Sequence, residues 1–148
     1  MPIYRQQAGL FNVGSYQVSG YAYLTGSAID GTAGSNGEVR LQFPSVAKNI
    51  TVINTSTANI GLRVYFNAAI AANGANGSGA YPDDAPITGH HYITLENKKD
   101  SVTFDVKCQE IFIALTGSGG AGSYECWAEL TGINKNEMFL LTGSGLTD

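Results

Sequence analysis

The sequence predicts an all-β fold: a single antiparallel β-sandwich of about eight short strands, jelly-roll-like, with extended arms at both ends. Three observations predict it. Between His91 and Ile133, apolar residues recur at every second position in four successive runs, as expected for antiparallel strands with one buried and one wet face. The runs are punctuated by turn chemistry, Asn97-Lys98-Lys99-Asp100 and the Gly/Ser stretch from Gly117 to Ser123. The composition agrees, because 19 glycines and only 14% charged residues in a chain of 148 suit short strands and tight loops better than helices. That length accommodates one domain with a proper core.

Residues 1–14 read as an N-terminal arm. Leu10, Phe11 and Val13 stand between Gly9 and Gly14, too short and broken a stretch for an independent element. The sandwich spans 15–133. Its first strand is predicted over Ser15 to Thr25, with Tyr16, Val18, Ala22 and Leu24 on one parity and Gln17, Ser19, Tyr21 and Tyr23 on the other. A flexible loop follows from Gly26 to Gly37. Val39, Leu41 and Phe43 then point inward from a strand that Pro44 is expected to end. Asn49–Asn54 and Asn59–Asn67 read as two more strands. In the second, Ile60, Leu62, Val64 and Phe66 alternate with Gly61, Arg63, Tyr65 and Asn67, a half-buried pattern. Residues 68–89 hold no strand signal and exceed the ~12–15 residues usual for a structureless loop, which marks a second interaction candidate.

The four C-terminal runs put Ile93 and Leu95, then Val102, Phe104 and Val106, then Ile111, Ile113 and Leu115, then Cys126, Ala128 and Leu130 on the buried face. Treated as a hairpin, the last pair sets Leu115 opposite Cys126, Ile113 opposite Ala128 and Ile111 opposite Leu130. Phe112, Ala114 and Trp127 then share the wet face, rimmed by Glu110, Glu125 and Glu129. Two readings of that face stand: a segment of the same chain covers Trp127, or Phe112 and Trp127 form an aromatic anchor for a partner. Residues 134–148 read as a C-terminal arm whose apolar patch, Met138, Phe139, Leu140 and Leu141, docks on its own sandwich or on a neighbour. Leu-Thr-Gly recurs at Leu24, Leu115, Leu130 and Leu141, one strand-to-turn solution reused rather than a repeat architecture.

The charge balance argues against nucleic acid as a partner. The net charge is −4, and the eight Lys and Arg are scattered, so no basic stripe tracks phosphates. No stretch approaches the ~18 consecutive apolar residues of a membrane span. The N-terminal residues lack a basic segment followed by an apolar run, so the chain is expected to be made in the cytoplasm and kept there unless lysis releases it. Cys126 falls on buried parity and Cys108 on the opposite one, which predicts two free thiols. Their C-x17-C spacing without a second pair is no zinc signature. The N-x-[ST] triplets at Asn49, Asn54 and Asn76 carry no glycosylation meaning without a secretory signal.

Asp83, Asp84, His90 and His91 form the densest ionisable set, but neighbouring residues on a strand point to opposite faces, and a turn over Tyr81–Asp84 explains them better than a metal site does. No G-x-S-x-G elbow is present, and neither histidine has an identifiable nucleophile. GSGGAGS lacks the lysine and the strand-to-helix setting of a phosphate loop. The sequence therefore predicts neither enzyme, nor cofactor, nor metal.

The strands of Tyr92 to Val106 with their Asn-Lys-Lys-Asp turn, followed by QEIFIALTGSGGAGSYECWAEL, resemble the small β-sandwich virion proteins of tailed bacteriophages, those that decorate or cement capsids. The resemblance covers residues 90–131 and the plan of arms at both ends. It implies a structural protein on the capsid surface of the virion, a homotrimer or another symmetric oligomer bound to the major capsid protein. The arm residues and the Phe112/Trp127 face would then make subunit or capsid contacts. An alternative from the residues themselves is a carbohydrate-binding or host-recognition module of a fibre, with Trp127, Tyr65, Tyr21, Tyr23 and Tyr81 offering rings and Asp83 and Asp84 taking hydroxyls. Strand order stays open between a jelly roll and an immunoglobulin-like sandwich.

Overall fold

Among the described residues, seven antiparallel strands form one continuous sheet that folds over a main core, an all-β sandwich-like architecture. In the computed structural model, the structure describes residues 9–10, 20–31, 37–57, 60–66, 92–116 and 120–138. The strands are β1 (Tyr21–Asp30), β2 (Val39–Asn54), β3 (Leu62–Tyr65), β4 (Tyr92–Leu95), β5 (Ser101–Phe104), β6 (Cys108–Leu115) and β7 (Ala121–Leu130), followed by a single tight helical turn, Lys135–Glu137.

The long strand β2 joins the two layers. Its first half pairs with β6 from Val39 to Gln42, and its second half pairs with β7 and β5 up to Asn54. One layer is thus β1-β7-β2-β5 and the other β2-β6-β3-β4. The corner lies between Gln42 and Ala47, where the register shifts. Pro44 sits there, exposed, and does not end the strand as expected: a residue without an N–H is tolerated where the ladder is already interrupted, so the chain bends and continues. The corner is fastened from outside by the residues after β7. Val46 donates to the Ile133 carbonyl at 3.0 Å, and the Thr131 hydroxyl donates to the Val46 carbonyl at 2.7 Å.

The inward parities predicted for β2, β6 and β7 all hold. Leu41, Phe43, Ile111, Ile113, Leu115, Cys126, Ala128 and Leu130 are buried in one cluster with Ile50, Val52, Leu62 and Val64. The predicted pairing of β6 with β7 does not hold. Strand β6 lies between β2 and β3, and β7 between β1 and β2, so the two face each other across the core from opposite layers. Alternation reports which face is buried, and it is silent on which strand lies alongside. The same correction applies to β4 and β5, which pair with β3 and β2 and not with each other. Nor is Gly26–Asp30 loop. Strand β1 continues to Asp30 because each of its ten residues has a partner on β7, and that pairing overrides weak intrinsic propensity.

The change of layer between β4 and β5 is organised by Asn54, which is fully buried. Its Nδ2 donates to the carbonyls of Ile60 (2.9 Å) and Leu95 (3.1 Å), and its Oδ1 accepts from the Ser56 N–H (3.0 Å). Its own N–H donates to the Asp100 carbonyl, and its carbonyl accepts from the Lys99 N–H. One side chain thereby ties the ends of β2 and β4 to the Asn97–Asp100 turn, where Lys99 takes a left-handed φ of 75°. Gly122 is required by packing nearby, since a Cβ there would lie 2.6 Å from Leu115 Cδ2. Both cysteines are buried and free, and Cys108, placed on the opposite parity by sequence, shares the core with Cys126.

Candidate interaction surface

Trp127 lies at the centre of the outer face of the β1-β7-β2-β5 layer. Register across four strands sets Leu24, Trp127, Thr51 and Thr103 in one row. Thr51 and Thr103 close it with a hydroxyl–hydroxyl hydrogen bond of 2.9 Å. The next row runs Gly26, Glu125, Ile53 and Ser101, and the row on the other side holds Ala22, Glu129 and Asn49. Leu24 is 74% exposed and Trp127 36%, an apolar pair that reaches β1, the edge strand of this layer among the described residues. Beside the indole, the missing side chain of Gly26 leaves a groove of about 410 Å³ between Leu24 and Ile53. A Cβ on Gly26 would lie 2.9 Å from the Tyr124 carbonyl oxygen, so glycine is required there for backbone packing as well.

Acidic groups border the pair unequally. Glu129 pairs with Lys48 at 3.2 Å, whereas Glu125 has no ion-pair partner among the described residues. Glu110, expected on the same rim, belongs to the other layer and pairs with Arg40 at 2.6 Å. An aromatic ring with an apolar neighbour, a groove and one carboxylate can make van der Waals and hydrogen-bond contact with a partner. It contains no acid–base pair.

No family model matches the chain, and no curated protein does. Among solved structures it is similar to the crystal structure of Yersinia pseudotuberculosis-derived mitogen, at 14% identity over 75% of this chain and 86% of that one. The TM-score is 0.34, too low for that likeness to carry an argument.

The residues singled out from sequence fall into three groups. Trp127 is at the surface, as expected. Leu10 and Met138 are buried, packed with Val46 and Ile133 in a small cluster beneath the β2 corner, so the described parts of both arms dock on their own domain. Phe112 is also buried and does not share a face with Trp127, because β6 and β7 belong to different layers. It stacks on Tyr65, centroids 5.9 Å apart and planes within 10°. Phe11, Val13, Phe139, Leu140 and Leu141 lie outside the described residues, as do Asp83, Asp84, His90, His91, Tyr81 and the 68–89 segment.

Of the rings offered for sugar stacking, Tyr65 is enclosed, its hydroxyl donating to Glu38 at 2.5 Å, and Tyr23 packs edge-on against Phe43 at 5.5 Å. Only Tyr21 and Trp127 are exposed among those described. Leu24 and Ile53 were missed as surface residues. Their apolar character reads as core until the register of β1 and β2 on β7 is known.

Among the described residues no group of three His, Cys, Asp or Glu is placed to hold a metal ion, and no helix is long and apolar enough to cross a membrane. Burial pushes both thiols up to about 12, so Cys108 and Cys126 are protonated, weak nucleophiles.

Proposed function

We propose that the chain is a structural virion protein of the capsid-decoration or cement kind, attached through protein contacts on the outer face of β1 and β7. The carrying observation is the exposed Leu24–Trp127 pair, next to the edge that the ten-residue strand β1 forms among the described residues. A large ring, an aliphatic neighbour and a polar rim are the usual make-up of an interface centre. A strand edge without Lys or Pro presents unpaired backbone groups to a neighbour. The partners on this reading are the major capsid protein and further copies of the chain, arranged as a homotrimer. Attachment is assigned to the sheet face, since Leu10 and Met138 are engaged within the chain. The test is co-sedimentation with phage heads assembled without this protein, comparing the native chain with Leu24→Ser/Trp127→Ala. Loss of attachment in a folded variant supports the reading, and equal binding by both removes it.

A second reading rests on the groove. Gly26 opens space beside the indole, and the Glu125 carboxylate is free to accept sugar hydroxyls, so a carbohydrate-binding role in a fibre fits the same face. Glycan-array binding that Trp127→Ala abolishes would select this reading over the first.

A further inference from the structure

On the outer side of the β2-β6-β3-β4 layer, two guanidinium nitrogens of a buried arginine have no hydrogen-bond partner. Register places Ala114, Arg63 and Thr94 in one row of that face, and Phe112, Tyr65 and Tyr92 in the next. Arg63 is 9% exposed, and its Nε and Nη1 atoms are enclosed with no hydrogen-bond partner. The guanidinium carbon lies 4.8 Å from the centroid of the Tyr92 ring, which supplies a cation–π contact and fixes the plane of the group. Neither acid described on this layer hydrogen-bonds those two nitrogens: Glu38 Oε2 accepts from the Tyr65 hydroxyl, and Glu110 pairs with Arg40.

We propose that Arg63 is the base of an oxyanion-binding site on this face, taking a carboxylate or a phosphate group. A guanidinium removed from water loses hydration that a single ring face does not replace, and it always keeps its charge. A compensating group must therefore be an acceptor with negative charge, and carboxylate and phosphate match guanidinium donors in geometry. Ala114, beside Arg63 on β6, carries only a methyl group, and stacked Tyr65 and Phe112 make an apolar wall in the next row. The site is separate from the Trp127 face, being on the other layer, and does not depend on what that face binds.

The test uses the full chain and its arginine Nε–H resonances, of which there are three, from Arg5, Arg40 and Arg63. Sodium acetate and sodium phosphate are titrated separately at constant ionic strength against chloride. The expected result is a saturable shift of the Arg63 resonance alone with at least one anion. Acetate identifies a carboxylate site and phosphate a phosphoryl site. Thermal unfolding gives a second readout. At 10 to 100 times the dissociation constant the same anion should raise the Tm by roughly 3–8 °C in the native chain. In Arg63→Met it should give only the smaller rise that excluded salts give any protein. A response that is linear and common to all three arginines, or absent with both anions, overturns the proposal, as does an equal Tm rise in the native chain and in Arg63→Met.

Discussion

Leu10 and Met138, from opposite ends of the chain, are buried in the same small cluster, closed by Val46 at the β2 corner and Ile133 after β7. This cluster is separate from the main core, and its backbone is fastened by the Val46–Ile133 and Thr131–Val46 hydrogen bonds. Truncating either end residue should therefore cost stability. Leu10→Ala and Met138→Ala are each expected to lose about 2–4 kcal/mol, the range for emptying a buried aliphatic site. In a double-mutant cycle by urea denaturation the two should couple by at least ~0.5 kcal/mol, since they share a cavity. Losses that add without coupling would mean that the two ends are held independently.

Asn54 concentrates more consequence in one side chain. Replacement by Ala removes three hydrogen bonds and leaves the Ile60 and Leu95 carbonyls and the Ser56 N–H without that partner in a closed corner. At ~1–3 kcal/mol for each buried group left unsatisfied, a loss of about 3–5 kcal/mol is expected. Asn54→Asp should be nearly as damaging, because a carboxylate cannot donate to two carbonyls. Hydrogen exchange should show the loss locally, with faster exchange at Lys99 and Ser56 than in β7. A uniform acceleration over all strands would contradict the assignment of Asn54 to this corner.

What the residue pattern shows about this fold, and what it hides, follows from what alternation encodes. Ile111, Ile113 and Leu115 read as core because each flanks a residue of the other face, and the structure buries all three. That Ile113 lies beside Val39 and Val64, and not beside Ala128, is long-range information absent from the local pattern. Leu24 is the clearest instance. It has the residue type of a core position, yet its register opposite Trp127 turns it to the surface, while Tyr23 goes inward against Phe43. On β3 the pattern looks half-buried because Arg63 and Tyr65 are polar at one end. Both are nevertheless enclosed, which places a charge inside and brings Phe112 with it. Of the candidate surface, Trp127 was therefore readable from its lone position on a wet parity. The groove beside it was not, since its other walls come from two further strands.

Leu24 and Trp127 are directly opposite across β1 and β7, so their contact can be measured apart from any partner. Cross-strand aromatic–aliphatic pairs contribute roughly 0.2–1 kcal/mol, and a cycle of Leu24→Ala and Trp127→Ala should return a coupling in that range. Each single variant is expected to stay folded, because Leu24 is largely exposed and the core beneath is supplied by Cys126 and Ala128. Circular dichroism and the denaturation midpoint check both points. A variant that unfolds outright would mean that the indole supports the sheet more than it serves the surface.

The two thiols give the fold a measurable alkaline limit. Burial raises Cys108 and Cys126 from an ordinary value near 9 to about 12, and it raises the Tyr124 phenol in the same direction. Below pH ~8 the thiols are protonated in both folded and unfolded chains and contribute no pH dependence. Above it the unfolded chain releases protons that the folded chain retains, so folding stability must fall as pH rises toward 12, by up to ~1.4 kcal/mol per pH unit for each thiol. Urea denaturation from pH 7 to 10.5 should show this steepening in the native chain. In Cys108→Ala/Cys126→Ala the part of the slope that the thiols carry should be gone, leaving the contribution of the raised Tyr124 phenol. The same burial predicts that a maleimide reagent at pH 7.5 labels neither cysteine in the folded chain and both in urea. Equal alkaline slopes in the two proteins, or rapid labelling without denaturant, would place at least one of these thiols in contact with water.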